Sequence, residues 1–197
     1  MSSYITFEVA AISNWQLKRS IRRRYDVTAG IYDIRYAEEQ NAKYAAALAK
    51  VCVSGAVLDV GCGSGLLFRY VVERADLVVG VDLSSALLQH AKKRAKSFLS
   101  VHLVQADADY LPFRKAFFSV VFAFTVLQNM PKPAETIAEL KRVAINGGSI
   151  VVTALKKSFS TDAFKALLQK AGLAVVSFED DPFLKCYVAI AIQNSVL

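Results

Sequence analysis

The chain is predicted to fold as one α/β domain, a doubly wound and mostly parallel sheet of seven strands that ends in an antiparallel hairpin. Three observations point there. Apolar runs at Val57–Val60, Leu77–Val81 and Val120–Phe124 have strand length and are bounded by polar or glycine residues, the pattern of strands covered by helices on both faces. Helix-like segments separate the strand-like ones, and that alternation specifies a parallel sheet with right-handed crossovers. The last two strand-like segments, Leu173–Phe178 and Lys185–Ile192, are joined by the short stretch around Glu179–Phe183. That connection cannot hold a crossover, so the pair must be antiparallel.

The elements follow in order. Residues 13–50 read as two helices, the first with an apolar stripe of Leu17, Ile21 and Tyr25, the second alanine-rich from Glu38 to Lys50 and of high helix propensity. Strand Val57–Val60 leads to a helix opening near Ser64, and strand Leu77–Val81 to a helix from Ser84, a natural N-cap, to about Lys96. Strands Val101–Gln105 and Phe118–Phe124 come next, then a helix from about Pro133 to Val143, with proline suited to its first turn. Asn146-Gly147-Gly148 reads as a turn before a fifth strand, Ser149–Leu155. A helix from Thr161 to Ala171 stops at Gly172, where glycine accepts the left-handed cap.

Bulk properties exclude several classes. At 197 residues the chain can bury a substantial core as one domain. Hydrophobic residues make up 54% and mean hydropathy is +0.34, yet no run of about 18 apolar residues offers a membrane span. Met1-Ser2-Ser3-Tyr4 lacks the charged-then-apolar order of a secretory leader. Cys52, Cys62 and Cys186 are far apart and have no histidine near them. This argues against a disulfide framework or a zinc site, and free thiols fit a cytoplasmic setting. Lys and Arg number 24 against 17 Asp and Glu, a net charge of +7, which favours an anionic partner such as RNA without requiring one.

The most informative segment is Asp59-Val60-Gly61-Cys62-Gly63-Ser64-Gly65, directly after the first strand. Glycines there let the backbone turn sharply and approach a ligand. A dinucleotide fingerprint would place its third glycine where this chain has Leu66. Asp59 would also repel a pyrophosphate, whereas it would attract the ammonium and sulfonium charges of S-adenosylmethionine. Asp82 ends the second strand, placed to accept bonds from both ribose hydroxyls. Asp107 follows the third strand, where a carboxylate can receive the adenine amino group. A lone aspartate at such a position is more often a loop or capping residue. Three of them at the carboxyl ends of three successive strands mark the edge where open α/β sheets bind ligands.

These residues together resemble the class I S-adenosylmethionine-dependent methyltransferase family. Asp59–Gly65 matches its first motif, Val81-Asp82-Leu83-Ser84 its acidic second and Asp107 with Leu111-Pro112-Phe113 its third. Val126–Met130, Glu139–Val143 and Gly147-Gly148 match the segment after its fourth strand. The resemblance implies a Rossmann-like methyltransferase fold and S-adenosylmethionine as cofactor. It implies backbone contacts to the methionine part at Gly61 and Gly63, with Asp59 nearby. The ribose would lie on Asp82 beside Leu83, and the adenine edge on Asp107 and Ala108. Tyr25-Asp26 and Tyr32-Asp33 resemble the family's N-terminal element, so residues 1–50 are expected to form a lid carrying Tyr32 and residues 51–197 the cofactor-binding domain. Two departures bear on the site. Phe118-Ser119 stands where relatives often have Phe-Asp, and Gln128-Asn129 where many have a histidine pair.

Methyl transfer needs alignment of donor and acceptor and exclusion of water, and needs a base only where the acceptor must lose a proton early. His90 and His102 are placed for packing or the surface rather than for that task. Thr125, Gln128 and Asn129 are the residues expected to face the acceptor. Five cations occupy seven positions at Lys18–Arg24. Such a cluster is usually a solvated helix face, but beside an acceptor entrance it could guide a phosphate backbone, so RNA is the leading acceptor class. Quinones, lipids or metabolites form the alternative, and a non-catalytic subunit that binds cofactor and stabilises a partner is a third reading. The strand Val101–Gln105 falls at a sheet edge in the family's usual order. Its apolar content suggests that a small activating protein, or a second copy of the chain, covers it.

Overall fold

Successive residues of a strand point to opposite faces of its sheet, so strands as apolar as these need cover on both sides. The computed structural model describes residues 13–193 and shows that arrangement; the reading of Met1–Tyr4 lies outside the described residues. Strands β1 (Ala56–Val60), β2 (Leu77–Asp82), β3 (Val101–Gln105), β4 (Phe118–Ala123), β5 (Ala144–Leu155), β6 (Leu173–Glu179) and β7 (Cys186–Gln193) form one sheet. Their spatial order is β3-β2-β1-β4-β5-β7-β6. The first five run parallel, and β7 lies antiparallel between β5 and β6. The sheet is therefore the expected doubly wound one with a terminal hairpin.

Helices α1 (Asn14–Thr28), α2 (Tyr32–Leu48), α3 (Phe68–Val71), α4 (Ser85–Ala95), α5 (Pro133–Val143) and α6 (Thr161–Lys170) complete the described chain. On one face Leu58 and Val60 of β1 pack with Ile137, Leu140 and Val143 of α5 and Phe164 of α6. On the other, Val57 packs with Tyr44 and Ala47 of α2, Phe68 and Val71 of α3 and Ala91 of α4. Local sequence sets the helix starts. Ser13 and Gln16 form a reciprocal capping box on α1, and the Ser84 hydroxyl accepts the Leu87 N–H that opens α4.

Two expectations are corrected. No helix opens at Ser64; α3 begins at Phe68 and has only four residues. Gly61, Gly63 and Gly65 all take positive φ, and this left-handed run is incompatible with helix until it ends. Asn146-Gly147-Gly148 is not a turn before the fifth strand but an irregular part of β5, which already begins at Ala144. Between the pairs Phe118↔Ala144 and Val120↔Ser149 the two strands lose step, and the surplus residues of β5 bulge out.

The edge position of β3 holds. Its apolar side chains, however, are covered from within, Val101 and Leu103 by one core and Val104 by the other. The open part of this edge is its backbone together with His102, Gln105 and the fully exposed Leu99 just before it.

Ser119, the departure noted in the sequence, donates its hydroxyl to the carbonyls of Ser54 and Ala56, the latter at 2.9 Å. It stitches the start of β4 to the segment entering β1. Ser119→Ala should lower unfolding stability by about 1–2 kcal/mol, the cost of leaving such acceptors without a donor. Urea denaturation of the two proteins checks this.

Candidate functional site

The carboxyl ends of β1, β2 and β3 open into a cleft beneath α1. Tyr32, Gly61, Asp82, Leu83, Asp107 and Ala108 line it, as do Thr125 and Asn129. Six of the eight residues expected around a cofactor thus share one cavity. Asp59 and Gly63 stand just behind it, buried in the glycine loop. Asp82 organises that loop. One of its oxygens accepts the Gly63 N–H and the other the Ser84 N–H, each at 2.8 Å, so the turn after β1 and the N-cap of α4 are fixed to one carboxylate. Gly61 has φ +70°, and a Cβ there would meet the Val126 side chain at 2.6 Å. The close approach leaves no room for another residue.

Three polar contacts fasten α1 and α2 over this edge. Lys18, 6% exposed, donates to both oxygens of Asp107 at 2.8 and 2.7 Å and to Asp109 at 2.5 Å. Asp26 accepts from the Ser84 hydroxyl at 2.6 Å and from the Ala86 N–H at 3.3 Å. Asp33 accepts from the Ser64 hydroxyl and pairs with Arg94 at 2.9 Å. Asp107 is therefore already engaged by an ammonium group at the place where an adenine amino group was expected. Burial works against the Lys18 charge, but the bonds to Asp107 and Asp109 outweigh it and raise its pKa.

Thr125 forms the junction with a second and larger cavity. Tyr25, Tyr32, Thr125 and Asn129 line both. The second is walled further by Arg24, Arg35, Tyr36, Glu39, Gln40, Gln128, Lys156, Lys157 and Lys185, with about 820 Å³ of free space. The first retains only about 100 Å³, because α1 leans into it with Lys18, Ile21 and Arg22. Thr125 has φ +62°, a strained conformation for a β-branched residue. Five side chains hold it there. Lys43 and Gln40 donate to its hydroxyl at 2.9 and 3.3 Å, and Gln128 and Asn129 to its carbonyl at 2.5 and 3.1 Å. Its N–H donates to the Thr153 hydroxyl at 2.8 Å.

Of the three residues expected to face an acceptor, Thr125 and Asn129 line both cavities and Gln128 only the second. His90 and His102 line neither. Sequence reasoning missed Lys18, Gln40, Lys43 and Thr153. The only local signal was the Glu39–Lys43 spacing, which becomes a 2.7 Å pair one helical turn apart; that this Lys43 is fully buried against Thr125 is a tertiary fact.

Comparison with known proteins decides the family. Residues 58–152 match the sequence profile described as a methyltransferase domain. Those residues carry that family's domain. A malonyl-[acyl-carrier protein] O-methyltransferase of Marinomonas sp. is 31% identical over 166 residues, covering 82% of this chain and 60% of the relative. A tRNA U34 carboxymethyltransferase of Proteus mirabilis is 33% identical over 116 residues, covering 57% of this chain and 35% of the relative. The chain thus spans less than two thirds of the length of these curated relatives. The complex between the Haloferax volcanii Trm112 methyltransferase activator and a methyltransferase contains a similar fold, with TM-score 0.73 at 17% identity, covering 87% of this chain and 98% of that one.

The family's cofactor is S-adenosylmethionine, and the donor set of the cleft fits it. Asp82 and Asp107 line the cleft with acceptors of the kind that this ligand's hydroxyl and amino groups need, and the positive φ of Gly61 lets backbone approach closely. The free volume does not yet fit. Ligand pockets usually offer about 300 Å³ or more, and Lys18, Ile21 and Arg22 of α1 are among the side chains that occupy this one.

Burial, together with the nearby Asp82 charge, pushes Asp59 up to about 8. In the unfolded chain it ionises in the ordinary carboxylate range. The folded state therefore holds the extra proton between that range and about pH 8, and its stability falls as pH rises across this window. A cationic ligand favours the ionised form, so S-adenosylmethionine should bind with release of a proton below pH 8 and bind more tightly as pH rises to that point. Calorimetry in buffers of different ionisation enthalpy measures the released proton, and none at pH 6.5–7 would show that Asp59 does not face the cofactor charge.

Proposed function

We propose that this chain transfers the methyl group of S-adenosylmethionine to an acceptor bound in the second cavity. The carrying observation is that the two cavities meet at Tyr25, Tyr32, Thr125 and Asn129, so a donor in one and an acceptor in the other face each other across Thr125. When bound, the cofactor supplies a methyl carbon already activated by its sulfonium. The residues of the chain hold and orient. Asp82 takes the ribose hydroxyls, Asp59 faces the positive charges, and Asp107 with Ala108 takes the adenine edge once Lys18 yields. Residues 13–50, with Tyr32, serve as the lid that excludes water.

Proton chemistry is minimal. Burial first, then the charges of neighbouring tyrosines and carboxylates, hold the Tyr32 phenol well above its ordinary range, so it stays neutral. Glu39 is bound by Lys43 at 2.7 Å and Lys185 at 3.3 Å. Burial opposes its ionisation, but these two ammonium groups prevail and lower its pKa, leaving a poor base. Alignment, rather than deprotonation, is what the chain contributes.

RNA is the acceptor class that the second cavity favours. Arg24, Arg35, Lys156, Lys157 and Lys185 line it against one carboxylate, Glu39, and Arg19 and Arg23 extend the positive surface outward along α1. A tRNA-acting relative supports this reading, while the malonyl-carrier relative supports a smaller anionic acceptor. For the β3 edge, the activator in the Haloferax complex supports a small activating protein as the partner.

Asp82→Asn loses the charge and turns an amide NH2 toward one of the two backbone N–H groups, so the clamp keeps only one of its bonds. It should weaken S-adenosylmethionine by about 1.5–3 kcal/mol and lower transfer of labelled methyl to fractionated cell RNA. Unchanged affinity in the folded variant would move the cofactor elsewhere.

Under the partner reading the isolated protein should self-associate, and Leu99→Lys should abolish capture of the partner without changing cofactor affinity. A monomer at high concentration, together with no protein co-purifying from the native cell, counts against an open edge.

A further inference from the structure

The corner between α1 and α2 carries side chains that neither the fold nor the site uses. We propose that it is a docking surface for an anionic lipid bilayer, its aliphatic side chains entering the headgroup layer and its arginines bonding the lipid phosphates. The surface is independent of which acceptor the second cavity takes.

A surface helix normally hides its aliphatic residues and turns its polar ones to water. Here polar side chains of α1 and α2 turn inward. Asp33, Asp26, Lys18 and Lys43 bond to Ser64, Ser84, Asp107 and Thr125, which follow β1, β2, β3 and β4 in turn. Outward stand Val27, 78% exposed, Ile31, 43%, and Ile34, 87%. About one helical turn separates each from the next, and the chain passes between them through the short 3-10 turn Ala29–Ile31. A Cβ at Gly30 would meet nothing within 4 Å, so the corner stands clear of the rest of the fold. Single exposed aliphatics are ordinary, but three together on a projecting corner mark a contact surface.

Charge identifies the partner. Arg19, Arg22, Arg23, Arg24 and Arg35 flank the aliphatics, and the only carboxylates between Arg19 and Arg35 are Asp26 and Asp33. Both are engaged, Asp26 by Ser84 and Arg22, Asp33 by Ser64 and Arg94. Arg19, Arg23 and Arg35 are exposed and form no ion pair among the described residues. The guanidinium fork matches phosphate, and aliphatic side chains flanked by basic ones are the pattern of helices that lie in a membrane interface. RNA would use the arginines but not the aliphatics, which offer no ring for a base to stack on. A second copy, meeting this corner with its own, would set the same arginines against each other. Among the described residues no helix is long and apolar enough to cross a membrane; the contact proposed is with the lipid surface. Arg24, Thr28 and Arg35, beside Val27 and Ile34, also line the second cavity, so docking sets that cavity against the headgroup layer.

The test is co-sedimentation of the full chain with vesicles of phosphatidylcholine alone and of phosphatidylcholine mixed with phosphatidylglycerol. The mixed vesicles should bind about tenfold or more tightly than the neutral ones, and added salt should narrow the difference. Val27→Ser with Ile34→Ser should weaken binding to the mixed vesicles by about tenfold or more, the scale of one aliphatic side chain returned to water. Arg23→Gln should weaken it by about fivefold. Both positions of the serine variant are exposed, and an unchanged urea midpoint shows that it folds. Leu99→Ser, at an equally exposed leucine on the β3 edge, should leave vesicle binding as it was, and single-stranded RNA should bind the serine variant and the parent protein alike. Absence of binding to mixed vesicles, or equal binding by the serine variant, overturns the surface. So does a loss with Leu99→Ser as large as that at the corner, which would mean general stickiness. A serine variant that changes oligomeric state in gel filtration while vesicle binding persists overturns it in favour of a second copy.

Discussion

Parallel strands deliver their carboxyl ends to one edge of the sheet, and in this chain that edge collects Asp59, Asp82, Asp107 and Asp109. Much of the local architecture follows from how those four carboxyl groups are accommodated, by three different devices. Asp59 stays protonated to about pH 8. Asp82 receives two backbone N–H groups. Asp107 and Asp109 share the ammonium of Lys18, and Asp109 also takes the Thr136 hydroxyl at 2.5 Å. The third device reaches furthest, because Lys18 stands 89 residues before Asp107 and pulls α1 across the cleft. A buried ion pair of this kind gives little net stability once desolvation is counted, but removing one partner strands the other. Its value here is geometric: it sets where α1 lies.

Thr125 is the counterpart on the neighbouring wall. A threonine at positive φ costs on the order of 1–3 kcal/mol, and the strain persists because every polar atom of the residue is bonded. Lys43 donates to it while lying fully buried against Glu39. The Thr125 carbonyl is turned toward Gln128 and Asn129, and those two amides in turn are fixed in orientation. The cost of the strained residue is thus met by a network whose side chains also line the second cavity.

The alternation of strands and helices, the terminal hairpin, the glycine loop with Asp82 at the end of β2, and the Ser84 cap were all legible in the sequence, because each depends on a local pattern or on spacing along a few residues. The failures have the same cause in reverse. The helix expected at Ser64 is displaced to Phe68 because three successive alternate glycines adopt left-handed backbone, which composition alone does not dictate. The turn at Asn146–Gly148 becomes a bulge because β4 holds both ends of it in the sheet. Lys18 read as one cation in a solvated cluster, although Arg19 and Arg23 of that cluster are indeed exposed; which of five neighbouring cations turns inward depends on Asp107 and Asp109 arriving from β3. Gln128-Asn129 was visible as a departure, but its meaning required Thr125 to be seen in three dimensions.

One helix couples the two cavities. Lys18, Ile21 and Arg22 of α1 close the first, Arg24 lines the second and Tyr25 lines both. With α1 docked the first has too little room for a nucleoside-sized ligand, so under the proposed function α1 must lift before the cofactor enters. Lifting it also removes Arg24 and Tyr25 from the wall of the second cavity. An acceptor that depends on those residues then finds a complete site only after α1 has closed again. Under the proposed function the cofactor would enter before the acceptor, and Lys18 would set the threshold, since its ammonium holds Asp107, the residue proposed to take the adenine edge.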